Sequence, residues 1–160
     1  MEIRRAVEKD IPTLLNLLSQ VLELHASLRP DLFQRGMTKY NKEQLIDKVK
    51  DDNNPIFVAV IDDKVVGYAM TQIHPSKSPA FPKTIFYLDD LCVDEAYRHQ
   101  GIGEALFNCV KEEAKNRGCY ELTLNAWLDN KRAMVFYKKM GMKERTVIME
   151  YILEDKYYGK

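Results

Sequence analysis

The sequence predicts an α/β (α+β) domain on a mixed, mostly antiparallel central sheet of six to seven strands, with one parallel βαβ unit and about four helices. Three observations carry that prediction. Residues 56–61 and 65–73 are apolar runs joined by Asp62-Asp63-Lys64, the pattern of a hairpin with antiparallel neighbours. Residues 84–93, a helical pattern from Ile102 to about Arg117, and residues 121–127 make a strand, a crossover helix and a second strand. Strands so connected run parallel. Apolar residues at helical spacing elsewhere supply the remaining helices.

Taken in order, residues 2–6 read as a short first strand. Asp10 then offers an N-cap, and Pro12 fits the first turn of a helix with Ile11, Leu14, Leu15, Leu18, Val21 and Leu22 on one side. That helix ends near residues 24–27, because Arg29-Pro30 breaks it. Residues 28–40 are a less periodic connection, and a second helix over 41–50 carries Leu45, Ile46 and Val49. Asp51-Asp52-Asn53-Asn54-Pro55 is turn chemistry ahead of the hairpin. Pro75, Pro79 and Pro82 make residues 75–83 a loop, read as a flap. The long central strand spans 84–93, and the glycine-led helix after it stops at Gly118, a left-handed C′ position. After the strand over 121–127 comes a helix over 130–140 closed by Gly141. Strands at 142–145 and 147–153 and a polar tail after Glu154 complete one domain over 1–160, its core about 2–153.

Composition narrows the function. Twenty-four basic residues balance twenty-four acidic ones, so the chain lacks the basic excess of a general nucleic-acid or membrane-surface binder. Cys92, Cys109 and Cys119 are odd in number and widely spaced, which suits reduced thiols rather than a disulfide or zinc framework. His25, His74 and His99 are equally scattered, and no metal site is expected. Met1-Glu2-Ile3-Arg4-Arg5 is charged and strand-like, with no apolar signal segment. The longest apolar run, residues 56–61, is too short to span a bilayer. These features predict a cytoplasmic protein.

The chemistry concentrates where the central strand meets the glycine-led helix, at Arg98-His99-Gln100-Gly101-Ile102-Gly103. A helix opening at glycines gathers unpaired N–H groups and the positive end of the helix dipole, and Arg98 adds a full charge. The spot suits a phosphate. A P-loop is excluded because Glu104 and Ala105 follow Gly103, and a dinucleotide fingerprint because Leu106 stands where its third glycine belongs. The remaining pattern, Val93-x-x-x-x-Arg98-x-x-Gly101-x-Gly103, resembles the acetyl-CoA-binding motif of the GCN5-related N-acetyltransferases (GNAT). Asn130-x-x-Ala133-x-x-Phe136-Tyr137-x-x-x-Gly141 is similar to that family's second cofactor element. The resemblance implies a GNAT-like fold in which two parallel strands splay around the pantetheine arm of acetyl-CoA. It also implies cofactor contacts at Leu91, Cys92, Val93, at Arg98, His99, Gln100, Gly101, Ile102, Gly103, Glu104, and at Asn130, Ala133 and Tyr137.

Acetyl transfer to an amine needs a base and an acid. An alkylammonium with a pKa of about 10.4 is rarely neutral at pH 7, so a proton acceptor helps. Asp89 and Asp90 lie within the central strand, where carboxylates are costly without a partner or a task. Adjacent strand residues face opposite ways, so at most one is expected to reach a given cleft. Asp89 stands where the spermidine/spermine-type members resembled carry a glutamate taken as the base. One methylene shorter, it would act through a water. A purely structural role for both carboxylates is an equal alternative. Tyr137 matches the family's general acid and also fits a core aromatic on the Ala133, Phe136 and Met140 face. Cys92 as an acyl carrier lacks a histidine nearby in sequence.

The resulting expectation is direct attack of a primary amine, a small amine or polyamine or a peptide amine, on acetyl-CoA in a ternary complex. The other class considered is a non-catalytic acyl-CoA sensor. Acceptor recognition is expected from residues 23–40 and 74–83, which include Glu23, His25, Asp31, Phe33, Tyr40 and Phe81. Trp127, Tyr151, Tyr157 and Tyr158 hint at a homodimer surface.

Overall fold

The computed structural model describes residues 1–75 and 79–154. Strand β1 (Glu2–Arg5) leads through a single 3-10 turn into helix α1 (Ile11–Leu28), and α2 (Lys42–Val49) follows. Strands β2 (Ile56–Ile61), β3 (Lys64–Pro75) and β4 (Thr84–Val93) come next. Helix α3 (Ile102–Asn116), strand β5 (Glu121–Thr123) and helix α4 (Lys131–Lys139) complete the elements. Among the described residues the sheet has order β1-β2-β3-β4-β5, antiparallel throughout except for the β4–β5 pair.

Local chemistry explains most boundaries. Asn41 caps α2 by accepting from the Gln44 N–H (2.8 Å), while Gln44 Oε1 accepts from the Asn41 N–H (2.9 Å). The β2–β3 turn puts Asp62 and Asp63 at φ 47° and 60°, the left-handed pair that a two-residue hairpin turn requires. Asp10 departs from expectation. Its side chain makes no cap bond to α1; it accepts from the Val7 N–H (2.9 Å) and takes both terminal nitrogens of Arg4 (2.7 and 2.9 Å). Asp10 is 4 % exposed, so the bidentate partner offsets the cost of burying a carboxylate.

The sheet separates two apolar layers. On one face Val58, Tyr68, Met70 and Cys92 pack against Leu14, Leu17 and Leu18 of α1 and Leu45 of α2. On the other, Ala59, Ala69, Phe86 and Leu88 pack against Ile102, Leu106, Phe107 and Val110 of α3, with Phe136, Tyr137 and Met140 of α4 at the margin. β2 is covered on both faces, which is why its sequence is an unbroken apolar run rather than an alternating one.

Three expectations change. β3 continues through Pro75, and the flap expected over 75–83 lies partly outside the described residues. β5 stops at Thr123 instead of Trp127, because Trp127 turns aside to pack edge-on against Phe33 (6.0 Å between centroids). The strands expected at 142–145 and 147–153 are not formed among the described residues, whose sheet has five strands rather than six or seven.

Candidate active site

β4 and β5 share three residue pairs, Ile85 with Glu121, Phe86 with Leu122 and Tyr87 with Thr123. β4 then runs on to Val93 with no strand of the described residues beside its outer edge, leaving Leu91, Cys92 and Val93 on an open margin there. The sheet side of β4 here is held very close to β3. A Cβ on Gly67 would stand 2.8 Å from the Cys92 carbonyl oxygen and 3.2 Å from Leu106, so only glycine fits between β4 and α3.

Beyond Val93 the chain makes one 3-10 turn, capped by Asp94, whose carboxylate accepts from the Ala96 N–H (3.0 Å). Arg98 folds back and donates from Nε to the Val93 carbonyl (3.1 Å). His99 (φ 63°) and Gly101 (φ 76°) are left-handed, which turns successive N–H groups toward one side before α3 begins. Among the described residues nothing accepts from the N–H groups of His99, Gln100, Gly101, Ile102, Gly103 and Glu104. Six adjacent open donors at the positive end of a fifteen-residue helix favour a phosphate. The Glu104 side chain is turned to Lys139 of α4 and so ties the two helices together.

The register of β4 against β3 slips at one place. Met70 faces Asp90 and Thr71 faces Leu88, so Asp89 is the extra residue of a bulge. Leu88 and Leu91 therefore both pack toward α3, while Asp89 and Asp90 both belong to the α1 and α2 side. Strict alternation predicted that only one of them would. Asp89 accepts from Lys39 Nζ (2.9 Å) and from the Tyr40 hydroxyl (3.3 Å). Asp90 accepts from the Tyr68 hydroxyl (2.7 Å), and Tyr68 is itself fully buried. Burial pushes the Asp90 carboxyl above the usual aspartate range; the Tyr68 hydrogen bond and the Lys39 charge oppose this without cancelling it. His25 is shifted the other way, its imidazole disfavoured as a cation chiefly by burial.

Tyr137 sits on the inner side of α4, tilted against Phe107 (6.2 Å) and edge-on to Phe136 (5.1 Å). Burial raises its phenol, and the charge of Asp90 and the neighbouring Tyr87 add to the effect. The hydroxyl therefore keeps its proton at neutral pH. Cys92 is equally unsuited to be a thiolate: buried, with Sγ 3.7 Å from the Leu17 carbonyl, it is pushed up to about 12, first by burial and then by Asp90. Asn130 caps α4, accepting from the Ala133 N–H (3.1 Å), so these two residues satisfy each other. No group of three or more His, Cys, Asp or Glu side chains among the described residues is placed to hold a metal, and no helix there is long and apolar enough to cross a membrane.

Sequence reasoning passed over Lys39, Tyr68 and Gly67. Lys39 lies in an aperiodic connection and gives no signal. A tyrosine in a core strand did carry one, since its hydroxyl needs a partner once buried.

Comparison with known proteins places the chain in a family. The chain is 29 % identical over 153 residues to YhfO of Bacillus subtilis (strain 168), named an uncharacterized N-acetyltransferase, covering 96 % of this chain and 97 % of that one. Over 60 residues it is 43 % identical to the thialysine N-epsilon-acetyltransferase of Bos taurus, 38 % of this chain. It spans only 35 % of that enzyme's length and 46 % of another curated relative's. The structure of a tetramutant of the BH1408 protein from Bacillus halodurans superposes with a TM-score of 0.89 at 28 % identity, covering 96 % of this chain and 100 % of that one. Residues 18–142 match the model of the acetyltransferase (GNAT) family, a span that takes in β4, its open donors and Tyr137, and the chain belongs to that family.

Proposed function

We propose that the chain transfers the acetyl group of acetyl-CoA to a primary amine by direct attack in a ternary complex. The observation that carries this reading is the run of open N–H donors that starts α3 beside the unpaired margin of β4, with the protonated Tyr137 phenol on the neighbouring helix α4. The pyrophosphate would rest on the N–H groups of His99 to Glu104 beside Arg98. The amide-bearing pantetheine would lie along Leu91, Cys92 and Val93, pairing as an added strand.

In the reaction the amine nitrogen bonds to the thioester carbonyl carbon, the carbon–sulfur bond breaks, and CoA leaves as a thiol. The ammonium proton passes to the Asp90 carboxylate through water, Tyr137 donates its hydroxyl proton to the departing sulfur, and the second proton that the nitrogen sheds as it becomes an amide returns through solvent to the Tyr137 oxygen. On the reference values, about 10 for a phenol and 8.5 for a thiol, the transfer is uphill, and burial of Tyr137 steepens it, so it is concerted with cleavage of the carbon–sulfur bond. Direct attack is favoured over an acyl-enzyme because the buried Cys92 thiol is pushed up to about 12.

The acceptor we infer is a cationic amine. Asp89 already holds an ammonium, that of Lys39, and Tyr40 lies 5.5 Å from the same nitrogen, a cation–π distance. The bovine relative's name, which specifies an ε-amine, supports the same class. The test is thiol release from acetyl-CoA with a panel of polyamines, small amines and peptides, for the native chain and for Tyr137→Phe. We expect turnover with at least one cationic amine and a kcat loss of about 10²–10⁴-fold in the variant, with acetyl-CoA binding retained. Binding without turnover on any amine would refute the enzyme and leave a sensor.

A further inference from the structure

Among the ion pairs that lysines form in the described residues, one stands apart by where its carboxylate lies. Lys50, Lys115, Lys138 and Lys139 reach glutamates whose side chains are 42–62 % exposed. Such pairs are surface contacts worth little. Lys39 instead reaches across to the central strand, where it meets Asp89 at 2.9 Å, a side chain only 15 % exposed. The backbone behind it is anchored twice. The Tyr40 hydroxyl donates to the same carboxylate oxygen (3.3 Å), and Asn41 starts α2 through its reciprocal bonds with Gln44.

On the acetyl-transfer reading, on which this inference rests, the pyrophosphate lies at the start of α3 and the pantetheine arm passes Val93, Cys92 and Leu91 in that order. β5 makes its last pair with β4 at Tyr87, so among the described residues the margin is open back to Leu88. The far end of the arm, which carries the thioester, therefore arrives at the bulge, two residues or about 7 Å of strand beyond Leu91. There Asp89 already holds the Lys39 nitrogen. A nucleophile held beside its electrophile reacts as if at a high effective concentration.

We infer that Lys39 is itself an acetyl acceptor, modified in cis by the acetyl-CoA bound to its own chain. The neutral Lys39 Nζ bonds to the thioester carbonyl carbon, the carbon–sulfur bond breaks, and CoA leaves as a thiol with the proton that Tyr137 donates. Of the two protons that Nζ sheds in passing from ammonium to amide, one is taken by the Asp90 carboxylate through water. The other returns through solvent to the Tyr137 oxygen. An acetylated Lys39 carries no charge, so Asp89 is left open to a cation from outside.

The test is incubation of the full chain with acetyl-CoA and no added amine, read by intact-mass and peptide mass spectrometry. One acetyl group per chain should appear on Lys39, at a rate per chain that does not depend on chain concentration. Tyr137→Phe should slow it by about 10²–10⁴-fold, while Lys111, exposed on α3, labels at an unchanged background rate. Lys39→Arg should lose the group. Acetylation of Lys39 no faster than that of Lys111 overturns the inference, as does a rate that climbs with chain concentration. Should Tyr137→Phe fail to fold, those two measurements on the native chain still decide. Turnover of an added amine with Lys39 left unmodified overturns this inference and leaves the acetyl-transfer reading standing; acetyl-CoA bound with neither Lys39 nor any added amine acetylated overturns both.

Discussion

Asp90→Asn separates catalysis from stability because the two should move in opposite directions. An acceptor amine with a pKa of about 10.4 is neutral in about one molecule in 2,500 at pH 7, a barrier contribution of roughly 4 to 5 kcal/mol. Loss of the base should cost about 10²–10⁴ in kcat/KM. The native pH profile should rise on a limb set by Asp90, displaced upward from the ordinary aspartate range by burial, and that limb should vanish in the variant. For stability, the folded-state pKa lies above the unfolded one. Asp90 therefore contributes stability that is fully present below the unfolded pKa and lost as pH rises through the folded pKa. At neutral pH the charged form is a burden that a neutral isostere relieves, and the amide oxygen of the substituted side chain still accepts from the Tyr68 hydroxyl. Asp90→Asn should accordingly unfold at a higher temperature than the native chain at pH 7, with the difference shrinking toward pH 4. The assays are thiol release across pH and thermal unfolding at the two ends of the range. A variant with unchanged kcat/KM and an unmoved acidic limb would refute the assignment. A larger loss in Asp89→Asn would transfer the role to that residue.

Arg98→Ala should weaken acetyl-CoA binding by about ten- to a hundredfold, the worth of a charge-assisted hydrogen bond to phosphate, with the thermal midpoint little changed; calorimetric titration reads both the loss and its salt dependence. Gly67→Ala drives a Cβ against the Cys92 carbonyl and should cost about 1–3 kcal/mol in urea denaturation, because the obstruction is backbone and cannot rotate away. Lys39→Gln vacates the ammonium position on Asp89; the pair is partly exposed, so KM for a cationic acceptor should fall only about two- to fivefold, and an unchanged or raised KM would remove Lys39 from the acceptor site.

The elements that sequence revealed are those whose determinants are local. Gly118 and Gly141 end their helices at φ 66° and 88°, and Asn41 with Gln44 starts α2, all within a few residues of chain. β4 was legible over its full length because its alternation is interrupted only once. What stayed hidden depended on distant partners. Asp10 looked like a helix cap until Arg4, on β1, was seen to claim its carboxylate. The end of β5 was decided by Phe33 and Arg29, some hundred residues earlier in sequence, which draw Trp127 away from the ladder. The terminal segment has the composition of strands, yet none is formed there among the described residues, and composition cannot report what lies beside it. In the site, the glycine-led loop was readable because the need for left-handed backbone leaves a mark on residue type; the pairing of Lys39 with Asp89 leaves none.

The bulge at Asp89 is where these levels meet. Without it, β4 would carry Asp89 and Asp90 on opposite faces, and one carboxylate would enter the apolar layer shared with α3, at a cost of several kcal/mol. One unpaired residue lets both acids face the α1 and α2 side while Leu88 and Leu91, three apart, both reach the α3 core. The sequence Leu-Asp-Asp-Leu thus makes sense only for an interrupted ladder: two consecutive acids between two consecutive demands for an apolar side chain cannot satisfy a period of two. The same interruption brings the two carboxylates to one side, so the charge of Asp89 adds to the burial that raises Asp90, and the asymmetry of their partners separates their roles. Asp89 is matched by a full positive charge, that of Lys39, whereas Asp90 has only a neutral donor, Tyr68, and keeps its raised tendency to take a proton. A single inserted residue therefore sets an ion-paired carboxylate and a raised carboxyl side by side, the arrangement that the proposed ammonium seat and base require.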